Sequence, residues 1–315
     1  MLVSAFIWLI SCRIPFTLHE EFARYGTDQL PSESCRECHS VIYDEWKESA
    51  HSHAYSDDFF RSITNDYMVD ACITCHSPES AFSDKIEKRK MHIKEGVNCY
   101  TCHLHKGVLQ GPIEKHLPFD IHPIMEKNPI YRSSELCGKC HKKTFEEYKK
   151  SGEKEKTCQD CHMPEIKRTI IDNRPWVWTK GIYSFRRHVF SIHDKEELQK
   201  EINLDMSIRD DSPVSGEIIV ENKSIPHNIP TGGYGYHEII LSITLLDNLA
   251  ESVQKITYSM TQELETSLKK DDKKIVSFTF SDKHEFPWAV KATLIKTDFD
   301  RQKVKVLKEI MVVLY

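Results

Sequence analysis

Residues 35–54 read CRECHSVIYDEWKESAHSHA and place two cysteines and three histidines within twenty positions. His39 directly follows the second cysteine, whereas His51 and His53 come about three helical turns later. The residues between them have the apolar spacing of a helix. Two groups therefore need separate explanations. One is the cysteine pair with His39, and the other is His51 with His53.

The Cys-x-x-Cys-His pattern occurs five times and uses ten of the eleven cysteines. The cysteine pairs are Cys35 and Cys38, Cys72 and Cys75, Cys99 and Cys102, Cys137 and Cys140, and Cys158 and Cys161. Two thiols at this spacing can bond the two vinyl groups on one haem edge, and the next histidine can bind the iron. The sequence predicts five covalent c-type haems. Their proximal iron ligands would be His39, His76, His103, His141 and His162.

Zinc and disulfides are the alternative explanations for paired cysteines. Zinc ribbons also use Cys-x-x-Cys pairs, but they do not require a histidine after every second cysteine. Disulfides would compete with thioether bonds for the same ten thiols. Covalent haem is therefore the favoured interpretation.

The low hydrophobic content of the chain suggests that a bound group, and not side chains alone, fills part of its core. The chain has 315 residues, 39% of them hydrophobic, and a mean hydropathy of −0.50, which is low for two domains. Porphyrin faces would supply the missing apolar surface of a pentahaem domain over residues 35–199, which we expect not to fold without haem. Helices over residues 42–50 and 143–150 would alternate with loops such as 111–129, and little sheet is expected. The formal charge of −5, with interspersed signs, gives no indication of nucleic-acid binding.

The first twelve residues, MLVSAFIWLISC, are apolar but too short to span a bilayer. Their end, Leu9–Cys12, resembles the lipobox that precedes a lipid-modified cysteine. We interpret residues 1–12 as an export segment with Cys12 as a lipidation candidate rather than a stray thiol, and residues 13–34 as a linker. Because haem is attached to Cys-x-x-Cys-His outside the cytoplasm, we expect a periplasmic, outer-membrane or cell-surface protein.

From about residue 200 the pattern changes to strands. Segments 202–209, 216–221, 238–247, 274–280, 288–297 and 304–314 alternate or run apolar with β-branched residues, separated by turns. They predict a small C-terminal β-sandwich over residues 200–315 and, with the haem domain, an α+β chain.

Several pieces of the sequence together resemble a known family. They are Trp46-x-x-Ser49-x-His51-x-x-Ala54, Gly96–Cys99, Cys161–Pro164, Arg187–Phe190 and residues 221–232, ENKSIPHNIPTG. In this order they resemble secreted multihaem c-type cytochromes that are related to the tetrahaem cytochromes of hydroxylamine oxidation and carry a C-terminal β-domain. The chain departs from that pattern in its five motifs and in lacking a glycine before His227-Asn-Ile-Pro-Thr-Gly.

Histidines outside the motifs are candidates for the second axial position on iron. One of His51 and His53 would bind a neighbouring haem; helical periodicity favours His53, the resemblance favours His51, and we take His51. The resemblance also implies His122, with His116 second. It further implies His188 and His227, the latter in a loop that two prolines stiffen and that could otherwise be an exposed turn. Weaker options for a fifth ligand are His53, His92, His105, His116 and His193.

The predicted coordination indicates the function. Two imidazoles saturate an iron and leave no position for substrate, so a series of such haems transfers electrons between redox proteins. An enzyme is the second hypothesis, because a five-coordinate haem could reduce or oxidise small nitrogen compounds. A subunit of a conducting filament is the third. We favour the electron carrier over the enzyme and the filament.

Overall fold

The computed structural model describes residues 30–112, 126–172, 182–190, 200–233, 237–262, 264–281, 288–297 and 304–314. The chain divides into two compact units. The first unit contains Met1–Cys140 and Lys156–His193, and the second contains His141–Glu155 and Asp194–Tyr315. The second unit therefore includes a short insertion from the motif region as well as the C-terminal residues.

Short helices carry most of the first unit. The helices of both units are α1 (Glu33–Arg36), α2 (Ser40–Lys47), α3 (Ala50–His53), α4 (Asp58–Ile63), α5 (Asp70–His76), α6 (Cys99–His103), α7 (Glu135–Gly138), α8 (Lys142–Lys150) and α9 (Cys158–His162), of which α8 belongs to the second unit. Side chains cap several of them: Asn98 accepts a hydrogen bond from Thr101 N at 3.1 Å, and Thr157 and Asp160 form a capping box.

The sheets of the first unit are small, in agreement with the expectation of little sheet. Strands β1 (Leu104–His105), β2 (Val108–Gly111) and β3 (Glu126–Lys127) form one sheet, and β4 (Glu165–Arg168) pairs with β5 (Tyr183–Arg186) in another. These strands are two to four residues long. Most of the unit is therefore helix and loop.

The predicted helix over residues 42–50 is interrupted. Helix α2 ends at Lys47, and Ser49 is extended, with φ −83° and ψ 158°, before α3 begins at Ala50. Ser49 Oγ donates a hydrogen bond to Trp46 O at 2.7 Å, which satisfies a carbonyl at the end of α2. The periodicity that favours His53 assumes one continuous helix over residues 42–50 and beyond, and this assumption is wrong, because α2 ends at Lys47 and His53 lies on α3.

The C-terminal strands form two antiparallel sheets in the second unit. Strands β6 (Ile202–Asp211), β7 (Val214–Asn222) and β10 (Lys273–Thr279) form a sheet of order β10-β7-β6. Strands β8 (Glu238–Leu246), β9 (Ser252–Thr261), β11 (Ala289–Thr297) and β12 (Val304–Val313) form a sheet of order β12-β11-β8-β9. Strand β9 was not predicted, because it is an edge strand whose first eight residues are exposed or half-buried.

Burial follows the strand period. Every second residue of β7 is buried, from Val214 to Asn222, as alternation on a one-sided sheet requires. The inner strands β8 and β11 are buried along most of their length. Lys308 Nζ on β12 donates to Ile202 O on β6 at 2.8 Å and so joins the two sheets. The chain thus combines helices with small sheets, while the sandwich itself stays a prediction.

Within the described ranges, no helix has the length and apolar character needed to cross a membrane.

Candidate functional site

Each of the five Cys-x-x-Cys-His motifs begins in or lies on a short helix. Motifs two, three and five lie inside α5, α6 and α9, which end at the proximal histidines His76, His103 and His162. The first cysteines of motifs one and four, Cys35 and Cys137, lie on α1 and α7. One helical turn separates residues i and i+3, so both thiols of a motif lie on one side of the helix, as attachment to one haem edge requires.

Three proximal histidines have their rings oriented by backbone carbonyls. A carbonyl oxygen only accepts, so the ring Nδ1 carries the proton, and Nε2 keeps its lone pair for a metal. Burial lowers the pKa of these rings and keeps them neutral, as iron binding needs. The donor and acceptor pairs are His39 with Ile170 at 2.7 Å, His76 with Ala54 at 2.7 Å, and His103 with Gln110 at 2.9 Å.

The segment that orients His39 also caps the helix after it. Asp172 accepts hydrogen bonds from Ser40 N at 2.8 Å, Ser40 Oγ at 2.7 Å and Val41 N at 2.8 Å. The two backbone donors have no partner within the first turn of a helix, and a carboxylate there also interacts favourably with the helix dipole. The carbonyl of Ile170 lies two residues earlier. A distant part of the chain therefore completes the first motif.

Four of the five motifs lie in two pairs. The thiols of Cys35 and Cys99 are within hydrogen-bonding reach of each other, and so are those of Cys137 and Cys158. These thiols stand for the thioether sulfurs that haem attachment would create. Motif one is therefore adjacent to motif three, and motif four to motif five.

The first unit has too few buried apolar side chains for its size, which fits a bound porphyrin. Among the described residues, twenty hydrophobic side chains of the second unit are buried, against seven of the first. The seven are Leu30, Cys38, Trp46, Phe60, Ile73, Ala81 and Tyr100. The motifs, the ring orientations and this deficit together fit c-type haem. Over the same residues, no group of three or more His, Cys, Asp or Glu side chains could hold a metal ion by itself.

His188 lies beside the proximal histidine of motif three. The ring centres of His103 and His188 are 6.1 Å apart, with 34° between the ring planes. His188 Nδ1 donates to Arg186 O at 3.1 Å, so its Nε2 also keeps a lone pair. Burial lowers the pKa of His188 to about 3, and the neighbouring Arg168 guanidinium acts in the same direction. The ring is therefore neutral at ordinary pH.

A buried carboxylate holds the His188 segment. Glu45 Oε2 accepts from His188 N at 2.9 Å, while Oε1 pairs with Arg187 Nε at 2.9 Å and with Arg168 Nη1 at 3.0 Å. The side chain of Glu45 is 9% exposed and that of Arg168 is 11% exposed. Burial raises the pKa of Glu45, but the bonds from His188 N and the two arginines outweigh it and keep the pKa below its usual value. The carboxylate therefore stays charged.

His227 lies in a loop that is held from two sides. Asn222, which is fully buried, donates through Nδ2 to Ile225 O and His227 O at 3.2 Å each. Glu147 of α8 accepts from Asn228 N at 3.1 Å. The ring Nδ1 of His227 donates to Asn228 O at 2.9 Å, and burial lowers its pKa. His227 thus has the orientation seen at the proximal histidines.

The two histidines after α2 differ in exposure. His51 is half-buried and its ring contacts Phe190 edge-on, with ring centres 4.3 Å apart, whereas His53 is exposed. Val97 N donates to His51 O at 2.9 Å, which links His51 to the lead-in of motif three.

The close approach of Gly96 to His51 gives a first prediction. Gly96 has φ +62°, and a Cβ there would lie 2.4 Å from His51 O. Gly96→Ala should lose about 1–3 kcal/mol from backbone strain and more from the clash, measured as a lower thermal midpoint. Gly107→Ala is the matched control, because Gly107 has φ +76° and nothing within 4 Å of an added Cβ. Equal losses in both variants would contradict the close-approach explanation.

The structure does not assign the remaining candidate iron ligands, or the lipidation candidate, to a described haem motif. His116, His122, His193 and Cys12 lie outside the described residues. His105 contacts Phe82, with ring centres 4.9 Å apart, and His92 has a left-handed backbone, with φ +50°. Glu45 and Glu147 were not identified from the sequence. A signal was present, because each glutamate follows the histidine of its motif, His39 or His141, by the same number of residues.

The comparisons with known proteins agree with this site. Residues 34–104 match the family model described as cytochrome c554 and c-prime. The sequence has no significant match among curated proteins. The fold is similar to the crystal structure of a penta-heme cytochrome c552 from Thermochromatium tepidum, with 18% identity, a TM-score of 0.67 and coverage of 91% of this chain and 99% of that chain. A beta-glucuronidase from glycoside hydrolase family 2, with 15% identity and coverage of 36% of this chain and 11% of its own, has a TM-score of 0.22, too low to bear on the fold.

Proposed function

We propose that this multihaem c-type cytochrome is an exported electron-transfer protein, in which five covalent haems with mostly bis-histidine iron pass electrons among periplasmic or cell-surface redox partners. The pair of His103 and His188, with ring centres 6.1 Å apart, carries the proposal. Two imidazoles on opposite sides of one metal, each bound at about 2 Å, place their ring centres roughly 6 Å apart. Iron held in this way changes between ferric and ferrous with little rearrangement and offers no open position to a substrate.

Other histidines would complete further haems. His51 and His227 are the described candidates, and His122, with His116 second, would come from the loop outside the described residues. The orientation of the His227 ring by Asn228 O supports its part in this set. His188 is proposed for the haem of motif three.

The paired motifs suggest the order of electron transfer. Contact of the Cys35 and Cys99 sulfurs would bring the edges of haems one and three close together, and contact of Cys137 and Cys158 would do the same for haems four and five. Electrons would pass fastest inside each pair.

The rest of the chain has a supporting part in this proposal. Residues 200–315 would form a β-sandwich that docks redox partners. Residues 1–12 would direct export, and residues 13–34 would form the linker that follows. Lipid on Cys12 would anchor the protein to a membrane.

Counting spin states tests the proposal. A low-temperature EPR spectrum of the oxidised protein should contain four or five low-spin ferric haems, because paired imidazoles give a strong ligand field. Mass spectrometry should find five attached haems. Two or more high-spin haems would overturn the electron-transfer function and favour an enzyme that binds small nitrogen compounds at iron. Fibres in negative-stain images would favour a filament.

A further inference from the structure

The stretch around the first motif is repeated around the fourth. Residues 32–49, SESCRECHSVIYDEWKES, align without gaps to residues 134–151, SELCGKCHKKTFEEYKKS, with eight identical positions of eighteen. Beyond the motif itself, the identities include Glu45 with Glu147 and Ser49 with Ser151. Aromatic residues also correspond, because Trp46 aligns with Tyr148. We call these stretches the first and second modules.

The two modules also have the same local structure. The proximal histidine precedes a helix in each, α2 in the first and α8 in the second. Each helix ends in the same way, since Ser49 Oγ donates to Trp46 O at 2.7 Å and Ser151 Oγ donates to Tyr148 O at 2.7 Å. The shared pattern is therefore structural as well as sequential.

Each module meets one further haem motif. In the first module the side chain of Ser32 hydrogen-bonds Cys99, and in the second Ser134 Oγ accepts from Cys158 N at 3.0 Å. The sulfur contacts described above involve the same pairs of motifs. The first module thus joins motif one to motif three, and the second module joins motif four to motif five.

Each of the aligned glutamates accepts a backbone hydrogen bond from a loop that carries a histidine. Glu45 accepts from the backbone N of His188, and Glu147 accepts from the backbone N of Asn228, the residue after His227. Both loops carry a histidine whose Nδ1 donates to a nearby backbone carbonyl. The two glutamates therefore each hold the backbone at, or one residue after, a histidine whose Nδ1 donates to a carbonyl, which leaves the lone pair on Nε2.

We propose that Glu45 and Glu147 are equivalent positioning residues, each on the helix after one haem motif and each fixing the loop that carries an axial histidine, His188 in the first module and His227 in the second. The inference rests on the proposed function, since it takes both histidines as iron ligands. A carboxylate that accepts a backbone N–H restricts the loop, which sets the distance and angle at which the imidazole meets iron.

The two glutamates differ in the charge of their other partners. Glu45 pairs with the guanidinium groups of Arg168 and Arg187. Glu147 instead accepts from neutral groups, Thr231 Oγ1 at 2.6 Å and Gln262 Nε2 at 3.3 Å. A glutamine at 147 could still accept from Asn228 N and Thr231, whereas a glutamine at 45 would leave two arginines without their carboxylate.

The test compares alanine and glutamine variants in the full, haem-loaded chain. In Glu45→Ala and in Glu147→Ala, one low-spin haem should shift its EPR g values or become high-spin, with all five haems still attached by mass. Glu147→Gln should keep the wild-type spectrum, and Glu45→Gln should not. Asp44→Ala and Glu146→Ala are matched controls, because these exposed carboxylates occupy aligned positions on the same two helices.

Spectra of Glu45→Ala and Glu147→Ala identical to those of the controls would overturn the positioning role. If an alanine variant fails to fold, Thr231→Val tests the same role, because it removes a hydroxyl that donates to Glu147. This variant should shift the haem signal that His227→Ala shifts. An unshifted signal would count against the role. The proposed function fails separately, through two or more high-spin haems in the wild type.

Discussion

A chain in which alanine replaces all ten motif cysteines is expected to lose the fold of the first unit while the C-terminal sheets persist. Among the described residues, the first unit buries seven hydrophobic side chains and the second buries twenty. A core that is completed by a cofactor forms only when the cofactor is bound, because the binding free energy is then part of the folding free energy. Without porphyrin faces, burial in the first unit cannot offset the lost chain entropy.

Circular dichroism and limited proteolysis measure this outcome. The haem-free chain should lose most of its helical signal and keep its sheet signal, and protease should spare a fragment that contains strands β6 to β12. The wild-type chain with all haems attached is the control. Protected fragments from residues 35–103 of the haem-free chain would show that side chains alone can fold the motif region.

His188→Ala should convert one low-spin haem to a high-spin or water-ligated one. The ring is neutral, its Nδ1 is engaged by Arg186 O, and its centre lies 6.1 Å from that of His103, so under the proposed function it is the second imidazole of the haem on motif three. Loss of an axial imidazole weakens the ligand field and changes the reduction potential of that haem most.

EPR and a redox titration measure the change. His53→Ala is the matched control, because His53 is exposed. All five haems should stay attached, since the thioether bonds are untouched. An unchanged low-spin count in His188→Ala would remove His188 from the ligand set and leave motif three with another partner.

Local chemistry explains why the sequence alone singles out candidate haem-attachment residues. A thiol pair and its histidine act within five consecutive residues, so spacing alone identifies them. The second axial ligand has no such constraint: His103 and His188 are brought together by tertiary structure, and the sequence alone left several histidines open. Only the resemblance singled out His188 and His227.

The strands were predictable to different degrees for a related reason. Strand β7 alternates between buried and half-buried residues, and its period is visible in the sequence. Strand β9 pairs only with β8, and most of its residues are polar or exposed, so its pattern does not separate it from a loop. The break at Ser49 was also missed, because the side-chain bond to Trp46 O that accompanies it is not visible in apolar periodicity.

The hydrogen bonds of the segment 170–172 have a consequence for the timing of maturation. A chain is made from its amino terminus, so residues 35–39 emerge well before residues 170–172. Until then, His39 lacks its contact with Ile170 O and Ser40 lacks the carboxylate of Asp172. The first motif thus reaches its final geometry only after a segment far along the chain has been made, and under the proposed function this interval would leave Cys35 and Cys38 accessible for haem attachment.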